Sequence, residues 1–284
     1  MTLSTSLLKK IRSKSSKDWK RITYSAYKDL KYAIKPNGLS KQVVCIVGCQ
    51  RSGSTMMYKI FCKDHRTKVF QEFSKLSSDD KTYGIRLNEV TKVERTIASL
   101  NHPIVVLKPL VESQNIDQLM HIAQDVKCIW LYRDYKDVAA SNLKKFGQNN
   151  GMKNLEPILK NDHDNWRSER VTKEVKATIY DLYKDSLSQH DTAALFWWVR
   201  NKLYFSQQLA KNLNIYTCKY EDLVSRPAQE MRKVYAFLEV DYPGDFLVSD
   251  VHKSSIGKGK AVSLSPEVER LCANLLSDLD QCKD

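Results

Sequence analysis

The feature that most constrains the fold is a continuous apolar run at residues 43–47, followed by a short polar loop. An apolar run with no polar face is typical of a strand buried in a parallel sheet. The loop carries Gly48 and Gly53 with four residues between them, and a helical pattern begins at Met56. This spacing is that of a phosphate-binding loop, whose backbone N–H groups surround an oxyanion at the positive end of the next helix. The stretch therefore predicts a strand, an anion-binding loop and a helix in succession.

One position of this loop departs from the version that binds nucleoside triphosphates. That version has a lysine directly after the second glycine, which contacts the β- and γ-phosphates. This chain has Ser54 there, and the cation within the loop is Arg51. A P-loop nucleotide or small-molecule kinase is therefore an alternative that the missing lysine disfavours.

Further apolar runs predict four more strands, at residues 68–71, 103–107, 128–132 and 214–218. Amphipathic helical patterns, among them residues 85–99 and 192–212, alternate with these runs. This alternation predicts a three-layer α/β fold of the P-loop type, with a mostly parallel central sheet of four or five strands flanked by helices. Ligands bind such sheets at the carboxyl ends of the strands. The polar side chains expected at those ends are Arg51, Glu72, Lys108, Arg133 and Tyr220.

Charge and composition suggest how the chain is divided. The formal net charge is +13, and residues 1–41 hold eleven Lys or Arg against two acidic residues. We predict a basic N-terminal helical extension over residues 1–41 and a single domain over residues 42–284, with a polar insertion or lid at about 147–190. An apolar stripe on the first helix, including Ile22, Tyr27 and Leu30, is expected to pack on the domain. Peripheral contact with a membrane surface is the alternative.

A second candidate anion site follows the predicted strand at residues 128–132. Arg133 stands at its end, and a helix is expected to begin near 134–137, which places Ser141 and Lys145 on one helix face. An arginine, a hydroxyl and an amine in this arrangement can converge on one phosphate. The alternative is an ordinary strand–helix joint in which Arg133 pairs with Asp134 or Asp137.

Three motifs in this order resemble a known family. They are the lysine-free loop Arg51-Ser52-Gly53-Ser54-Thr55, Tyr132-Arg133-Asp134 with Ser141 eight residues after the arginine, and Tyr220-Glu221-Asp222-Leu223-Val224-Ser225-Arg226-Pro227. Together they resemble the sulfotransferases that use 3′-phosphoadenosine 5′-phosphosulfate (PAPS), over about residues 42–145 and 192–280. The arginine that opens the loop is most similar to the tyrosylprotein and glycan sulfotransferase branch. Tyr135 departs from the proline that many relatives carry at that position.

The resemblance implies a role for each matching residue. Residues bound to the donor would be Arg51, Ser52, Gly53, Ser54 and Thr55 at the 5′-phosphosulfate, Arg133, Ser141 and Lys145 at the 3′-phosphate, and Tyr220 and Lys258 nearby. Glu72 matches the base that takes the acceptor proton, although a solvated strand-end residue is the alternative for it. Lys108 and Ser255 match residues that, with Arg51, stabilise the transferring group, and Ser254 is nearly as good a match as Ser255. The resemblance thus implies in-line transfer of a sulfuryl group to an acceptor hydroxyl, with PAPS as co-substrate and no metal.

Other features limit the remaining function classes. The chain has no run of the roughly 18 apolar residues that a membrane span needs, and its start lacks the apolar centre of a secretory signal. Seven scattered cysteines with no C-x-x-C pair suggest reduced thiols and a cytoplasmic location. His163 lies in a polar stretch and is expected at the surface, and no motif indicates nucleic-acid binding. Without a secretory route, a carbohydrate or small-metabolite acceptor is favoured over protein tyrosine. A non-catalytic anion- or glycan-binding protein is the remaining alternative.

Overall fold

A five-stranded parallel sheet forms the centre of the computed structural model, which describes residues 16–33, 41–80, 84–183 and 187–283. Its strands are β1 (Gln42–Gly48), β2 (Thr67–Phe70), β5 (Ile104–Leu107), β6 (Val126–Tyr132) and β7 (Ile215–Lys219). They lie in the order β2-β5-β1-β6-β7. β1 is central and pairs with β5 on one side and β6 on the other. The predicted fold class and all five predicted strands are confirmed.

Helices cover both faces of this sheet. Their bounds are α1 (Ser16–Ala33), α2 (Ser54–Lys63), α3 (Val90–Ala98), α4 (Ile116–Leu119), α5 (Tyr135–Phe146), α6 (Asn150–Leu159), α7 (Lys173–Leu182), α8 (Gln189–Ser206), α9 (Tyr220–Ser225), α10 (Pro227–Phe237) and α11 (Pro266–Gln281). Short 3₁₀ helices occupy Leu110–Glu112, Leu209–Lys211 and Asp245–Val248. No helix within the described ranges combines the length and the apolarity needed to cross a bilayer.

The apolar side chains divide into two cores, one on each face of the sheet. On one face Val43, Cys45 and Trp130 pack with α5, α8 and α11. On the other face Val44 and Ile46 pack with α2 and α10. Because successive side chains of a strand point to opposite faces, β1 must be apolar throughout to serve both cores. This double burial is the physical reason for its continuous apolar run.

The prediction of a helix over residues 85–99 is wrong at its start. Residues 84–87 form strand β4 (Gly84–Leu87), which pairs antiparallel with β3 (Ser77–Asp80), and the helix begins only at Val90. Ile85 and Leu87 alternate with Arg86, a period of two that is also compatible with a strand. The carboxylate of Glu112 fixes this strand, because it accepts hydrogen bonds from Arg86 Nε at 2.8 Å and from the Leu87 amide at 2.9 Å.

The first helix docks differently from the prediction. Tyr27 and Leu30 are 57% and 67% exposed, so this part of the apolar stripe does not pack on the domain. Instead Lys28 is buried, and its Nζ donates to the carbonyl oxygens of Cys62 at 3.1 Å and Asp64 at 3.2 Å. These carbonyls lie at the carboxyl end of α2, where helix carbonyl groups lack intrahelical partners and attract a cation. Because these carbonyl oxygens lack hydrogen-bond donors of their own, the Lys28 side of α1 faces the domain.

The segment predicted as a polar insertion carries the helices α6 and α7. Leu155, Ile158 and Ile179 are fully buried in the same core as α8, so the apolar side of each helix faces inward. That the segment is a lid, and that the chain divides at residue 41, stay predictions.

Candidate active site

The loop between β1 and α2 begins at a position that only glycine can occupy. Gly48 has a φ of 113°, and a Cβ built there would stand 2.2 Å from the carbonyl oxygen of Leu131 on β6. The Gly48 amide donates to Ser113 Oγ at 2.9 Å, so it is not available to a ligand. The close approach of β1 and β6 thus requires this glycine, which the sequence pattern assigned to the phosphate loop.

The remainder of the loop turns sharply into the next helix. Arg51 has a φ of 70° in the left-handed region, which is uncommon for a residue with a side chain. The Ser52 amide donates to the Cys49 carbonyl at 3.3 Å, and α2 begins at Ser54 directly after Gly53. Ser52 Oγ is buried and has no hydrogen-bond partner among the described residues. A buried hydroxyl without a partner, beside the first turn of a ten-residue helix, fits the oxygen of an anion.

Arg133 at the end of β6 is held on several sides. Its Nη2 donates to Asp137 Oδ2 at 3.0 Å and contacts the Ser255 carbonyl oxygen. The guanidinium lies 4.3 Å from the centre of the Tyr220 ring. The ion pair with Asp137 considered from the sequence is therefore present. Arg133 Nε is buried and has no hydrogen-bond partner among the described residues, and the nearest carboxylate oxygen, Glu221 Oε1, lies 3.9 Å away. This N–H can therefore still donate to a closer anion.

The loop and the strand-end arginine meet at Ser141. Arg51 Nε donates to Ser141 Oγ at 3.0 Å, and Arg133 Nη1 donates to the Arg51 carbonyl oxygen at 3.4 Å. Burial, with a further contribution from nearby Arg133, lowers the pKa of Arg51. Two partly or fully buried guanidinium groups therefore repel one another here, and an anion between them would relieve that repulsion. Lys145, one turn beyond Ser141, is exposed.

Glu72 and Lys108 come together at the ends of β2 and β5. Lys108 Nζ lies 3.3 Å from Glu72 Oε2 and 3.4 Å from Thr55 Oγ1 in α2. The two residues line a small cavity of about 20 Å³, whose wall also includes the apolar side chains of Leu76 and Ile85. A carboxylate and an amine thus lie beside the anion loop, at the mouth of an apolar cavity.

A carboxylate that was not among the predicted site residues organises the opposite side. Asp137 is buried, and it accepts hydrogen bonds from the amides of Gly257 at 2.9 Å and Gly259 at 2.6 Å as well as from Arg133. This fixes the loop over residues 253–260, in which Ser255 is half-buried and Lys258 exposed. The spacing of Arg133 and Asp137 indicated their pairing, but no sequence pattern indicated that Asp137 also binds a loop 120 residues away.

Tyr220 lies beneath the anion loop. A Cβ built at Gly53 would stand 2.4 Å from Tyr220 Cδ2, so the ring packs directly against the loop backbone. The same ring supports Arg133 on its other side. Tyr220 is 4% exposed, and its contact with the nucleotide stays a prediction.

Two further sequence expectations concern metals and thiols. His163 is exposed, and no group of three or more His, Cys, Asp or Glu side chains suited to a metal ion occurs within the ranges that the structure describes. All seven cysteines lie within the described ranges, and none of them forms a disulfide. Burial raises the pKa of Cys49, next to the loop, to about 12, so its thiol stays protonated at neutral pH.

The comparison with known families defines the class. The family model of the sulfotransferase domain matches residues 41–269, which include both sides of this site. The chain therefore belongs to the sulfotransferase family, and the resemblance at the superfamily level is confirmed. No curated protein sequence matches the chain.

Solved structures similar to this chain are also sulfotransferases. The sulfotransferase domain of the Synechococcus PCC 7002 olefin synthase aligns with a TM-score of 0.47 and 13% identity, covering 87% of this chain and 97% of that one. The sulfotransferase domain from the curacin biosynthetic pathway aligns with a TM-score of 0.47 and 17% identity, covering 84% and 99%. The mouse sulfotransferase SULT7A1 complexed with PAP aligns with a TM-score of 0.43 and 12% identity, covering 91% of each chain.

Proposed function

We propose that this chain transfers a sulfuryl group from PAPS to the hydroxyl of a carbohydrate or small metabolite. The observation that carries the proposal is the contact between the lysine-free loop and the β6–α5 joint, where Arg51, Ser141 and Arg133 form one cationic surface. The buried Ser52 hydroxyl and the buried Arg133 Nε form no hydrogen bond with the described residues, and both fit the oxygens of a bound anion. The PAPS donor would supply a sulfuryl group on a good leaving phosphate.

The donor site would be built from both sides of this surface. The Ser52 hydroxyl and the amides of Gly53, Ser54 and Thr55 would bind the 5′-phosphosulfate. Arg133, Ser141 and exposed Lys145 would bind the 3′-phosphate, and Lys258 would approach it from the loop over 253–260. The direct bond between Arg51 and Ser141 implies that the two groups of residues would close on the donor together rather than as separate pockets.

Glu72 would act as the base. Its carboxylate lies 3.3 Å from Lys108 Nζ and lines the cavity in which an acceptor hydroxyl would sit. Glu72 would take the acceptor proton as the new O–S bond forms and the S–O bond to the phosphate breaks, which leaves 3′-phosphoadenosine 5′-phosphate (PAP). Arg51, Lys108 and Ser255 would stabilise the negative charge on the transferring group and the leaving phosphate. Lys108, which contacts both Thr55 and Glu72, would hold the base beside the donor.

The expectations about location, membrane contact, acceptor class and the kinase alternative are part of this proposal. Peripheral membrane contact of the basic first helix is compatible with the exposed Tyr27 and Leu30. The cytoplasmic location and the acceptor class stay predictions. A kinase is less compatible, because Ser54 occupies the position of the phosphate-binding lysine.

A comparison of ligands tests the donor site. PAP should raise the melting temperature, because a ligand that binds only the folded state stabilises it by mass action. ATP with Mg²⁺ should not. A protein stabilised by ATP–Mg²⁺ and not by PAP would contradict the proposal.

Glu72→Gln should keep the PAP-induced shift in melting temperature and lose most sulfuryl transfer from radiolabelled PAPS to an extract of small metabolites. Undiminished transfer by this variant would remove Glu72 from its role.

A further inference from the structure

A second cavity also has Glu72 in its wall. Its volume is about 50 Å³, and the wall further includes Gln50 from the anion loop, Trp166, Phe196 and Arg200. A water molecule takes about 30 Å³ in the liquid, so this cavity has room for a group as small as a carboxylate. Because the proposed base forms part of its wall, a molecule whose carboxylate occupies the cavity can present a hydroxyl to Glu72.

The burial of the charged Arg200 side chain in this wall is not explained by the fold alone. The side chain lies on α8 and is 2% exposed, so it is buried almost completely. Its Nη2 donates to the Leu110 carbonyl at 3.2 Å and to Gln114 Oε1 at 3.0 Å, both of which are neutral. Its Nη1 is buried and has no hydrogen-bond partner among the described residues. Gln50 Nε2, in the same wall, is also buried and has none within those ranges.

The carboxylates near Arg200 are committed to another arginine. Glu112 pairs with Arg86 at 2.8 Å, and Glu169 pairs with Arg86 at 3.0 Å. Among the described residues, the Arg167 guanidinium donates hydrogen bonds only to amide oxygens, those of Asn154 and Asn165.

The cluster therefore has an uncompensated positive charge. It contains three guanidinium groups, of Arg86, Arg167 and Arg200, and the two carboxylates of Glu112 and Glu169. The carboxylate of Glu72 in the cavity wall pairs instead with Lys108, at 3.3 Å. Burial lowers the pKa of Arg200 to about 10, which leaves it charged at neutral pH. A buried charge with no opposite charge is strongly destabilising. An anion placed in the cavity would supply the missing charge.

Aromatic side chains complete the cavity. Trp166 packs edge-to-face on Phe196 with 6.2 Å between ring centres. The guanidinium groups of Arg167 and Arg200 lie 4.5 Å and 5.1 Å from the centre of the Trp166 ring. Such walls bind an apolar or planar body, while the N–H groups of Arg200 and Gln50 select what is attached to it.

We propose that the acceptor is a hydroxy acid, whose carboxylate binds Arg200 Nη1 and Gln50 Nε2 in this cavity while its hydroxyl reaches Glu72. This inference rests on the proposed sulfuryl transfer and specifies its acceptor. Arg200 acts here as a specificity-determining residue, because an acceptor without the anion leaves both buried donors unpaired.

Paired acceptors test the inference with the full chain saturated with PAP. The probes are 4-hydroxybenzoate, 4-hydroxyphenylacetate, 3-hydroxybutyrate and glucuronate, each compared with its methyl ester by calorimetric titration. At least one acid should bind about tenfold or more tightly than its ester, which corresponds to about 1.4 kcal/mol. If no acid binds more tightly than its ester, the inference is wrong. A protein that fails to bind PAP contradicts the donor site instead, so the two failures are distinguishable.

Variants test whether the preference for the acid over its ester depends on this cavity. Arg200→Gln should bring the acid and ester affinities to within about twofold and leave PAP binding unchanged. The control Arg232→Gln removes the same charge from a side chain that is 57% exposed and should keep the wild-type preference. Gln50→Met serves as a second variant in case Arg200→Gln does not fold, and it should weaken the acid severalfold but not the ester. If both variants fold and both keep the acid preference, the assignment is wrong. If Arg200→Gln does not fold, an acid preference that Gln50→Met retains is enough to overturn it.

Discussion

Replacing Asp137 by asparagine should both destabilise the protein and weaken binding of PAP. Asp137 is 2% exposed, and its two oxygens accept three hydrogen bonds, from Arg133 Nη2 and from the amides of Gly257 and Gly259. Asparagine has nearly the same volume, but only one of its terminal atoms accepts hydrogen bonds. At least one of the three bonds must therefore be lost, and the buried Arg133 loses the nearer of its two carboxylates, which leaves Glu221 at 3.9 Å.

The magnitude follows from these contacts. A hydrogen bond to a charged group contributes about 1.5–3 kcal/mol, and removing one partner of a buried ion pair costs about 3–5 kcal/mol. Because the polar asparagine keeps part of the network, we expect the free energy of unfolding to fall by about 3 kcal/mol. For PAP, displacement of Arg133 and of the loop over 253–260 should raise the dissociation constant at least about tenfold, or about 1.4 kcal/mol.

Urea unfolding measures the first effect, and calorimetric titration with PAP, below the unfolding transition, measures the second. Asp245→Asn is the matched control. It makes the same chemical change in an ion pair with Arg232 in which both side chains are more than half exposed, 60% and 57%. Such a surface pair contributes at most about 1 kcal/mol. If Asp137→Asn is as stable as Asp245→Asn, the three bonds do not stabilise the fold. If it is destabilised but binds PAP normally, the loop and Arg133 do not hold the nucleotide.

Two further predictions concern stability alone. Burial lowers the pKa of His102 to about 4, below the roughly 6.5 of the unfolded chain. The neutral His102 therefore contributes its full stability above about pH 6.5, and this stability is lost as the pH falls toward 4. The free energy of unfolding should be about 2 kcal/mol lower at pH 5 than at pH 7, and His102→Phe should remove that part of the pH dependence; an unchanged pH dependence would contradict the assignment. Gly48→Ala should destabilise by at least about 3 kcal/mol in urea titrations, because the new methyl meets the Leu131 carbonyl at 2.2 Å. The control Gly147→Ala also has a positive φ, 95°, but nothing lies within 4 Å of its Cβ, so it should cost only about 1–2 kcal/mol, and equal losses would refute the role of the clash.

The parts of the site that are continuous in sequence could be predicted from it. An apolar run followed by two glycines and a helical pattern can form few structures other than a buried strand, a tight loop and a helix, since each step is a local preference. Arg133, after the strand predicted at residues 128–132 (β6), could be placed for the same reason, because parallel strands bring their carboxyl ends to one edge. The family model over residues 41–269 agrees with these local assignments.

Predictions that depended on choosing between two local periods were less successful. Residues 84–87 satisfied both a helical and a strand pattern, and the strand formed because Glu112, distant in sequence, binds Arg86 and the Leu87 amide. The apolar stripe correctly predicted that α1 is a helix but not which face it buries. The carbonyls at the end of α2 bind the Lys28 amine, and this contact sets the buried face. In both cases a polar partner elsewhere in the chain outweighed the apolar pattern.

The sequence by itself determined the order of strands and helices, the anion loop and the side chains at the strand ends, because short-range sterics and hydrophobic period fix these features. Only the tertiary structure decided what those side chains contact. It joined Arg51 to Ser141, tied Asp137 to a loop 120 residues further on, and left one N–H group of Arg200 buried beside Glu72. Such contacts join segments that are far apart in the chain, and hydrogen bonds between them depend on distances that no local pattern contains.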